Sequence, residues 1–429
     1  MQEIINKIKS LFKTPMLLVF VIICFTLLPN AINMQSAVFR SAIVVAFGID
    51  KDQSQNYVIN AAVNVSSTAE SLSENTKLIS AKGKSVSDAI SNLSIQFGRP
   101  IRLGHTRFVL IGTALAKENV AVALDGIIRT NKMRDTVQLV LCDAPVDDML
   151  NVGIEIKNKT GIKMSEIMTY QSKYSTTAMD SNVDTFYKGY FSNAGISKLN
   201  CIRLTDDFTQ GITPDAALGE IGGKSGGEES QDAGGAAAEQ EETKGSSKQT
   251  KKYLSVLGDI AVFKNGVLKT IVPPNTAIGA NWINASHIPQ KLDVAVEGGI
   301  LEKAHLYFYV LNKTVSREVF IYNDIPMMSV KINLTLGIDE IINQNSQITP
   351  LSQDVIDQDV KCAIGRELRR QTGEALLYSK QTGLDILELN EIFYLSKYKQ
   401  YQNYLQNGHT TEDLINNAQI SLEVRVEVI

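Results

Sequence analysis

The N-terminal segment of this 429-residue chain places three lysines in front of a long uncharged run. The lysines are Lys7, Lys9 and Lys13, and the run MLLVFVIICFTLL covers residues 16–28. Lysines before an apolar segment favour a cytoplasmic N-terminus and export of the chain that follows. We therefore expect one N-terminal membrane segment, with the rest of the chain held outside the cytoplasm.

Three kinds of N-terminal segment fit this pattern, and the sequence favours an uncleaved signal-anchor. The uncharged run alone has the length of a signal peptide, but apolar residues at 11–12 and 31–32 extend it toward the about 20 residues of a full span. A cleaved signal is disfavoured because LLPNAINMQ lacks the small residues of a cleavage site. A lipid-modified cysteine is disfavoured because Cys24 lies inside the run and follows bulky aliphatic residues.

Composition limits the chemistry that the exported part can carry. With 44% hydrophobic residues, the chain can form two or three domains with ordinary cores. A net charge of −4 and the lack of a basic stripe argue against nucleic acid. Outside the apolar run, Cys142, Cys201 and Cys362 are too widely spaced for a disulfide framework or a zinc site, so we expect buried free thiols.

The N-terminal domain, residues 36–145, has the pattern of an α+β unit. AIVVAFGID at 42–50 and YVINAAVNV at 57–65 predict two adjacent strands joined by a polar turn. A helix is predicted to begin after Ser85 and to end at Gly98, with Asp88 near the position of a capping box. Further elements are expected as a strand near 78–81, a strand at 107–112, a helix at 120–129 and a strand at 135–142.

The middle domain, residues 146–285, contains a polar tract that cannot build a core. Residues 219–252 are rich in Gly, Ser, Glu and Lys and lack aromatic side chains, which is typical of a disordered insertion. Helical signals precede the tract at 154–174. After it, Asn265-Gly266 between apolar runs at 253–263 and 267–272 predicts a hairpin in the same sheet as residues before the insertion.

The C-terminal domain, residues 286–429, is predicted to be a second α+β unit. Strands are expected at 299–310, 317–322 and 328–336, followed by a long helix at 350–382 that ends at Gly383. Residues 391–405 are predicted to form a strand followed by a helix. The final ISLEVRVEVI, residues 420–429, alternates apolar and charged residues and predicts a strand that covers one apolar face.

No pattern in the sequence supports catalysis, a cofactor or a metal site. The GGKS at 222–225 lacks the earlier glycine of a phosphate-binding loop, because residue 218 is Leu. The DKD at 50–52 lacks the glycine and glutamate of a calcium loop. Four tyrosines between 394 and 404 have helical spacing, and a packed helix face explains them better than a stacked ligand. We therefore expect a protein that is not an enzyme.

Four segments together resemble the C subunit of spore germinant receptors, the GerAC-like or Ger(x)C family. They are AIVVAFGIDKD at 42–52 with the strand after it, GHTRFVLIGTALAK at 104–117, GDIAVFKNGVLK at 258–269, and the helix at 350–382 with TGLDILEL after it. Their order and spacing resemble the family over most of residues 40–395. The chain departs from the family in lacking a lipid-modified cysteine after the signal segment and in carrying the tract at 219–252.

The resemblance implies a multi-domain, mixed-sheet α+β ectodomain without known catalytic residues. It also implies assembly with an integral-membrane A subunit and a transporter-like, many-spanning B subunit in the spore inner membrane, in a receptor that responds to small nutrients. On this reading the chain is a membrane-anchored, non-catalytic subunit that acts in receptor assembly and germination signalling. The alternative is a stand-alone extracytoplasmic domain that binds or senses a small molecule.

One cluster of basic residues is a candidate contact surface for a partner. Arg99, Arg102, His105 and Arg107 follow one another closely in a chain that is acidic overall. Ordinary surface charge is the simpler explanation of the same residues. These four side chains are therefore our candidate contact with a partner. We predict no catalytic, cofactor-binding or metal-binding residue.

Overall fold

The computed structural model describes residues 23, 42–65, 75–131, 133–155, 177, 179–205, 253–255, 259–284, 291–296, 304–342 and 358–429. Several predicted features lie outside these residues. They are the expected anchor at 1–35 apart from Ile23, the insertion at 219–252, most of the helical signals at 154–174 and the expected helix start at 350. Within them, none of the helices is both long and apolar enough to cross a membrane.

The described part of the first half of the chain is organised around a ten-stranded mixed sheet. The main strand order is β10-β9-β7-β6-β5-β1-β2-β3, with β4 paired to β1 and β8 paired to β7. The strands are β1 (Ala42–Lys51), β2 (Tyr57–Val65), β3 (Asn75–Gly83), β4 (Ile101–Arg102), β5 (Phe108–Gly112), β6 (Gln138–Cys142), β7 (Ile196–Thr205), β8 (Tyr253–Ser255), β9 (Ile260–Lys264) and β10 (Val267–Val272).

The centre of this sheet is parallel, and both of its faces are covered. Strands β1, β5, β6 and β7 run in one direction, whereas β2, β3, β9 and β10 extend the sheet through antiparallel pairings. All five residues of β5 are buried, as expected of a parallel strand with helices on both faces. The helices of this half are α1 (Val86–Phe97), α2 (Thr113–Ala116), α3 (Val120–Asn131), α4 (Val146–Glu155) and α5 (Val183–Tyr190).

The helix predicted after Ser85 is confirmed together with its capping residues. The Ser85 hydroxyl accepts a hydrogen bond from Asp88 N at 3.1 Å, and Gly98 ends the helix with a φ of 69°. The Asp88 carboxylate accepts from Lys84 N rather than from Ser85 N, so the reciprocal half of a capping box is displaced by one residue. The hairpin at Asn265-Gly266 is confirmed as well, with positive φ at both turn residues.

The second sheet has four strands in the order β11-β12-β13-β14. They are β11 (Lys291–Ala295), β12 (His305–Tyr322), β13 (Ile325–Ile342) and β14 (Gln419–Val428). The prediction of separate strands at 299–310 and 317–322 was wrong, because one 18-residue strand, β12, runs without a break from residue 305 to residue 322. Residues 299–303 of the first predicted strand lie outside the described residues. The terminal strand is confirmed, and it pairs in parallel with β13. Its half-buried apolar residues alternate with exposed polar residues.

Helices connect and cover this second sheet. They are α6 (Pro274–Ile283), α7 (Gln358–Thr382), α8 (Leu389–Ser396), α9 (Tyr398–Gln406) and α10 (Thr411–Asn417). Gly383 follows α7 with a φ of 66°, as predicted. The strand expected within 391–405 was wrong, since α8 and α9 occupy that segment. The packed tyrosine face is confirmed for Tyr401 and Tyr404, which are buried, but not for Tyr398, which is exposed. Of the three expected buried thiols, Cys142 and Cys201 are buried but Cys362 is exposed.

One of three hydrophobic clusters among the described residues contains side chains from both sheets. Val262 and Val272 of the first sheet belong to the same buried cluster as Trp282 of α6, Phe308 of β12 and Leu368 of α7. The indole of Trp282 donates a hydrogen bond to Gln371 of α7 at 2.6 Å. The mixed α+β class is therefore confirmed, and the division of the chain at residues 145 and 285 remains a prediction.

Candidate functional site

A cleft of about 810 Å³ lies where the two halves of the chain meet. It is bounded by α5, by the first residues of β7, by the end of α6 and by the segment that leads into α8. Ten of its fourteen lining residues have polar or charged side chains. The lining residues are Met179, Asp180, Asp184, Thr185, Lys188, Gly189, Ser192, Ala194, Ile196, Lys198, Asn284, Asp385, Glu388 and Glu391.

Lys198 of β7 joins the two halves at the base of this cleft. Its side chain is only 10% exposed, and its ammonium group donates to Ile386 O at 3.0 Å and to Glu388 Oε1 at 2.6 Å. The charge of Lys198 lowers the pKa of Glu388. Because both partners of the ammonium belong to the segment before α8, this contact fixes that segment against the first sheet.

Asp385 holds the same segment from within. It is 1% exposed, and its two carboxylate oxygens accept from Leu389 N at 2.8 Å, Asn390 N at 2.8 Å and Asn390 Nδ2 at 3.0 Å. Burial raises the pKa of this carboxyl group, while the three donors oppose that rise. The hydroxyl of Tyr401 donates to Asn390 Oδ1 at 3.2 Å, so the turn into α8 is anchored on both sides.

The cleft contains more carboxylates than ammonium groups. Its lining includes five acidic side chains and two lysines. Lys188 pairs with Asp184 at 2.5 Å, and Lys198 pairs with Glu388. The other three acidic side chains have no ion-pair partner among the described residues; they are Asp180, Asp385 and Glu391. The arrangement suits a polar or positively charged group. Within the described residues, no group of His, Cys, Asp and Glu is placed to hold a metal ion.

The four basic residues singled out from the sequence form an exposed surface, here called the basic cluster: Arg99, Arg102, His105 and Arg107. The cluster lies at the N-terminal ends of β1, β4 and β5. Arg102 is the register partner of Ile43, and the backbone N–H of Arg107 donates to Val45 O at 3.2 Å. Their backbone therefore lies at one edge of the first sheet, and none of the four residues lines the cleft.

Two of the segments that carry the family resemblance meet in space. Asp50, near the end of β1, accepts a hydrogen bond through Oδ1 from Leu115 N at 2.9 Å and so caps α2. A Cβ on Gly112 would lie 2.0 Å from Asp50 Cγ, so the close packing requires glycine at that position. These residues therefore stabilise the fold.

Sequence reasoning missed the cleft, because its charged residues come from segments that are far apart in the chain. Lys198 and Glu388 are separated by 190 positions, and neither stands in a pattern typical of a binding site. The available signal was the DILEL segment at 385–389, which was noticed only as part of the family resemblance. The buried Asp385 and the half-exposed Glu388 of this segment form the junction.

Family comparisons match both halves of the chain. Residues 39–203 match the family described as "Spore germination protein N-terminal domain". Residues 258–429 match the family described as "Spore germination B3/ GerAC like, C-terminal". The first match spans the strands from β1 through most of β7. The second spans the hairpin β9–β10 and the whole second sheet.

Two individual proteins are similar to this chain at low identity. The chain is 19% identical over 397 residues to the spore germination protein KC of Bacillus subtilis (strain 168), a span covering 90% of this chain and 88% of that protein. A solved structure described as "Crystal Structure of the GerBC protein" aligns with 89% of this chain and 96% of that chain, at 12% identity and a TM-score of 0.46.

Proposed function

This chain belongs to the GerAC-like family, the C subunits of spore germinant receptors, and we propose that it is a membrane-anchored, non-catalytic subunit acting in receptor assembly and germination signalling. Its partners in this proposal are an integral-membrane A-type subunit and a transporter-like B-type subunit. Its place is the spore inner membrane, with a single N-terminal anchor and the ectodomain outside the cytoplasm. The receptor as a whole would respond to a small nutrient.

The observation that carries the proposal is the pair of family matches, which together include both sheets and the junction between them. The uncharged run at 16–28 and its preceding lysines support the anchor. The most buried charged groups of the cleft, Lys198 and Asp385, are hydrogen-bonded to backbone and side chains of the fold itself. That bonding supports a structural role for them.

A stand-alone domain that binds a small molecule is the second candidate. The cleft favours it, because about 810 Å³ lies within the about 300–1,000 Å³ of small-molecule sites and because such sites often lie between domains. In this case the purified chain would bind a nutrient without any other subunit, and isothermal titration calorimetry would detect the binding.

A germination assay tests the receptor proposal. Spores of the source organism that lack this chain are exposed to a panel of single amino acids and sugars, and the loss of optical density is followed. The proposal predicts a lost response to at least one nutrient, restored by the full chain but not by a form with the apolar run 16–28 replaced by a polar linker. Unchanged responses to the whole panel, with no second copy of the gene, would contradict it.

A further inference from the structure

The basic cluster lies beside the point at which the described fold begins. The backbone N–H of Ala42, the first residue of β1, donates to Pro100 O at 2.9 Å. Ala42 and Ile43 then pair in register with Ile101 and Arg102. The arginines of the cluster therefore flank the first residues of β1, at the N-terminal edge of the sheet.

The sequence limits how far this edge can be from a membrane. Thirteen residues, 29–41, separate the uncharged run 16–28 from Ala42. A fully extended segment of that length reaches at most about 45 Å. The corner of the sheet formed by β1 and β4 is thus the part of the described fold with the shortest connection to the proposed anchor.

We propose that the basic cluster docks on the anionic lipid headgroups of the membrane in which the chain is anchored. The inference deepens the proposed function and rests on its anchor. Guanidinium groups bind phosphate oxygens in pairs of hydrogen bonds, and arginine is less strongly hydrated than lysine. Each basic residue near an anionic surface shifts a docking equilibrium by about fivefold.

Acidic residues on the same edge of the sheet repel anionic headgroups. Their distance from β1 decides whether this repulsion exceeds the attraction by the arginines. Asp135, Asp180 and Asp184 lie toward β6 and β7, whose N-terminal ends share the edge because the central strands are parallel. Two strands, β5 and β6, separate β1 from β7, which corresponds to about 14 Å at the usual strand spacing. That distance exceeds the screening length of about 8 Å in physiological salt. Because the chain is tethered to the membrane at β1, the arginines there attract the headgroups more than the carboxylates near β7 repel them.

Asp135 is the nearest of these carboxylates, and it does not cancel the cluster. Exposed Arg134 precedes it directly and offsets its charge. The remaining arginines, Arg99, Arg102 and Arg107, lie at the β1 side of the edge, where the chain leaves toward the anchor. Among the described residues of this edge, the arginines therefore lie nearest to the tether, and the carboxylates lie farther along the sheet.

Chemical modification of arginine tests this proposal on the full-length chain. The protein is reconstituted into vesicles of phosphatidylcholine alone or of phosphatidylcholine mixed with phosphatidylglycerol, and the vesicles are floated to confirm incorporation. Phenylglyoxal is then added, and modification of each arginine is followed by mass spectrometry. Exposed Arg366 and Arg425, in the C-terminal half, are internal controls.

The proposal predicts that Arg99, Arg102 and Arg107 react about fivefold more slowly in the anionic vesicles, and that about 0.5 M NaCl restores their rates. In the double variant Arg99→Gln/Arg107→Gln, Arg102 should react equally fast in both kinds of vesicle. The matched variant Arg366→Gln/Arg425→Gln should keep the protection of Arg102.

Two outcomes would overturn the lipid contact while leaving the anchor intact. One is incorporation into both vesicles with equal rates for the three arginines. The other is protection that is absent in pure lipid but present in membranes of the sporulating cell, which would assign the cluster to a protein partner. Failure to float with either vesicle would contradict the anchor of the proposed function, and the lipid contact with it.

Discussion

Lys198 Nζ lies 2.6 Å from Glu388 Oε1, and this ion pair joins the first sheet to the turn that precedes α8. The lysine side chain is buried, whereas the glutamate is half-exposed and lines the cleft. Glu388 also adopts a left-handed backbone conformation, with a φ of 60°, which is uncommon for a residue other than glycine. The surrounding contacts therefore hold the turn in a conformation that its sequence alone does not favour.

Removing the lysine of this pair is expected to destabilise the protein. Lys198→Met leaves Glu388 and the carbonyl of Ile386 without their donor, and we expect the free energy of unfolding to fall by about 2 kcal/mol. Lys264→Met is the matched control, because Lys264 pairs with the more exposed Glu412 and should cost less than about 1 kcal/mol. Urea denaturation measures both; equal losses would contradict the special role of Lys198.

The same pair gives an acid dependence with a definite sign. Lys198 lowers the pKa of Glu388 in the folded state, so the stabilisation is present above the unfolded pKa and is lost as the pH falls through the folded pKa. Lys198→Met should therefore lose less stability than the wild type on acidification. Urea curves at neutral pH and at about pH 4 test this, and parallel losses in both proteins would contradict it.

Replacing the carboxylate of Asp385 with an amide of the same shape is expected to destabilise the protein. In Asp385→Asn, one acceptor oxygen becomes an NH₂ group that faces the N–H donors of Leu389 or Asn390, and we expect a loss of about 2 kcal/mol. Asp293→Asn is the control, because the Asp293 side chain on β11 is exposed, and it should change the free energy of unfolding by less than about 0.5 kcal/mol. A neutral result for Asp385→Asn would show that the three hydrogen bonds do not hold the turn.

The packing of Gly112 against Asp50 predicts a coupled pair of substitutions. Gly112→Ala should be strongly destabilising, because its Cβ would clash with the Asp50 carboxylate. Asp50→Ala removes the two nearest atoms, Cγ and Oδ2, but leaves the Cβ of residue 50 at 2.5 Å and also removes the α2 cap. The double variant should therefore remain destabilised, but by less than the sum of the two single losses. Gly104→Ala is the control, since a Cβ there meets nothing within 4 Å. Additive effects in thermal unfolding would contradict the direct contact.

Lys313 predicts an alkaline dependence of stability. Its buried ammonium group donates to Asn281 O at 2.8 Å and to Asn284 O at 2.6 Å, at the end of α6. Burial lowers the pKa of Lys313 to about 7, below that of the unfolded chain, so the unfolded state binds more protons above this value and stability rises with pH. The rise should be smaller in Lys313→Met when unfolding is compared at about pH 7 and pH 9.5. An unchanged pH dependence would contradict the lowered pKa.

Local patterns in the sequence were sufficient to predict most elements of the first sheet. The alternation in residues 57–65, the capping residues around 86–97 and Asn265-Gly266 each determine structure within a few positions, and each was confirmed. The length of β12 could not be predicted in this way. Polar residues between two apolar stretches suggested a break, whereas pairing with β13 continues the strand through them.

The candidate site was less predictable, because it depends on contacts between distant segments. Asp385 stood out only through the family resemblance, and the sequence gives no sign that Lys198 lies against the turn that Asp385 holds. The basic cluster was visible in the sequence because its residues are close together. Its position beside Ala42 required the parallel pairing of β4 with β1.

Co-purification from membranes tests the central claim most directly. The tagged full-length chain is extracted with a mild detergent from membranes of sporulating cells, captured, and analysed by quantitative mass spectrometry. As a receptor C subunit it should bring down a many-spanning, transporter-like protein and a second integral-membrane protein in comparable amounts. Recovery of the folded, membrane-bound chain without either protein would contradict the receptor account and favour a domain that acts alone.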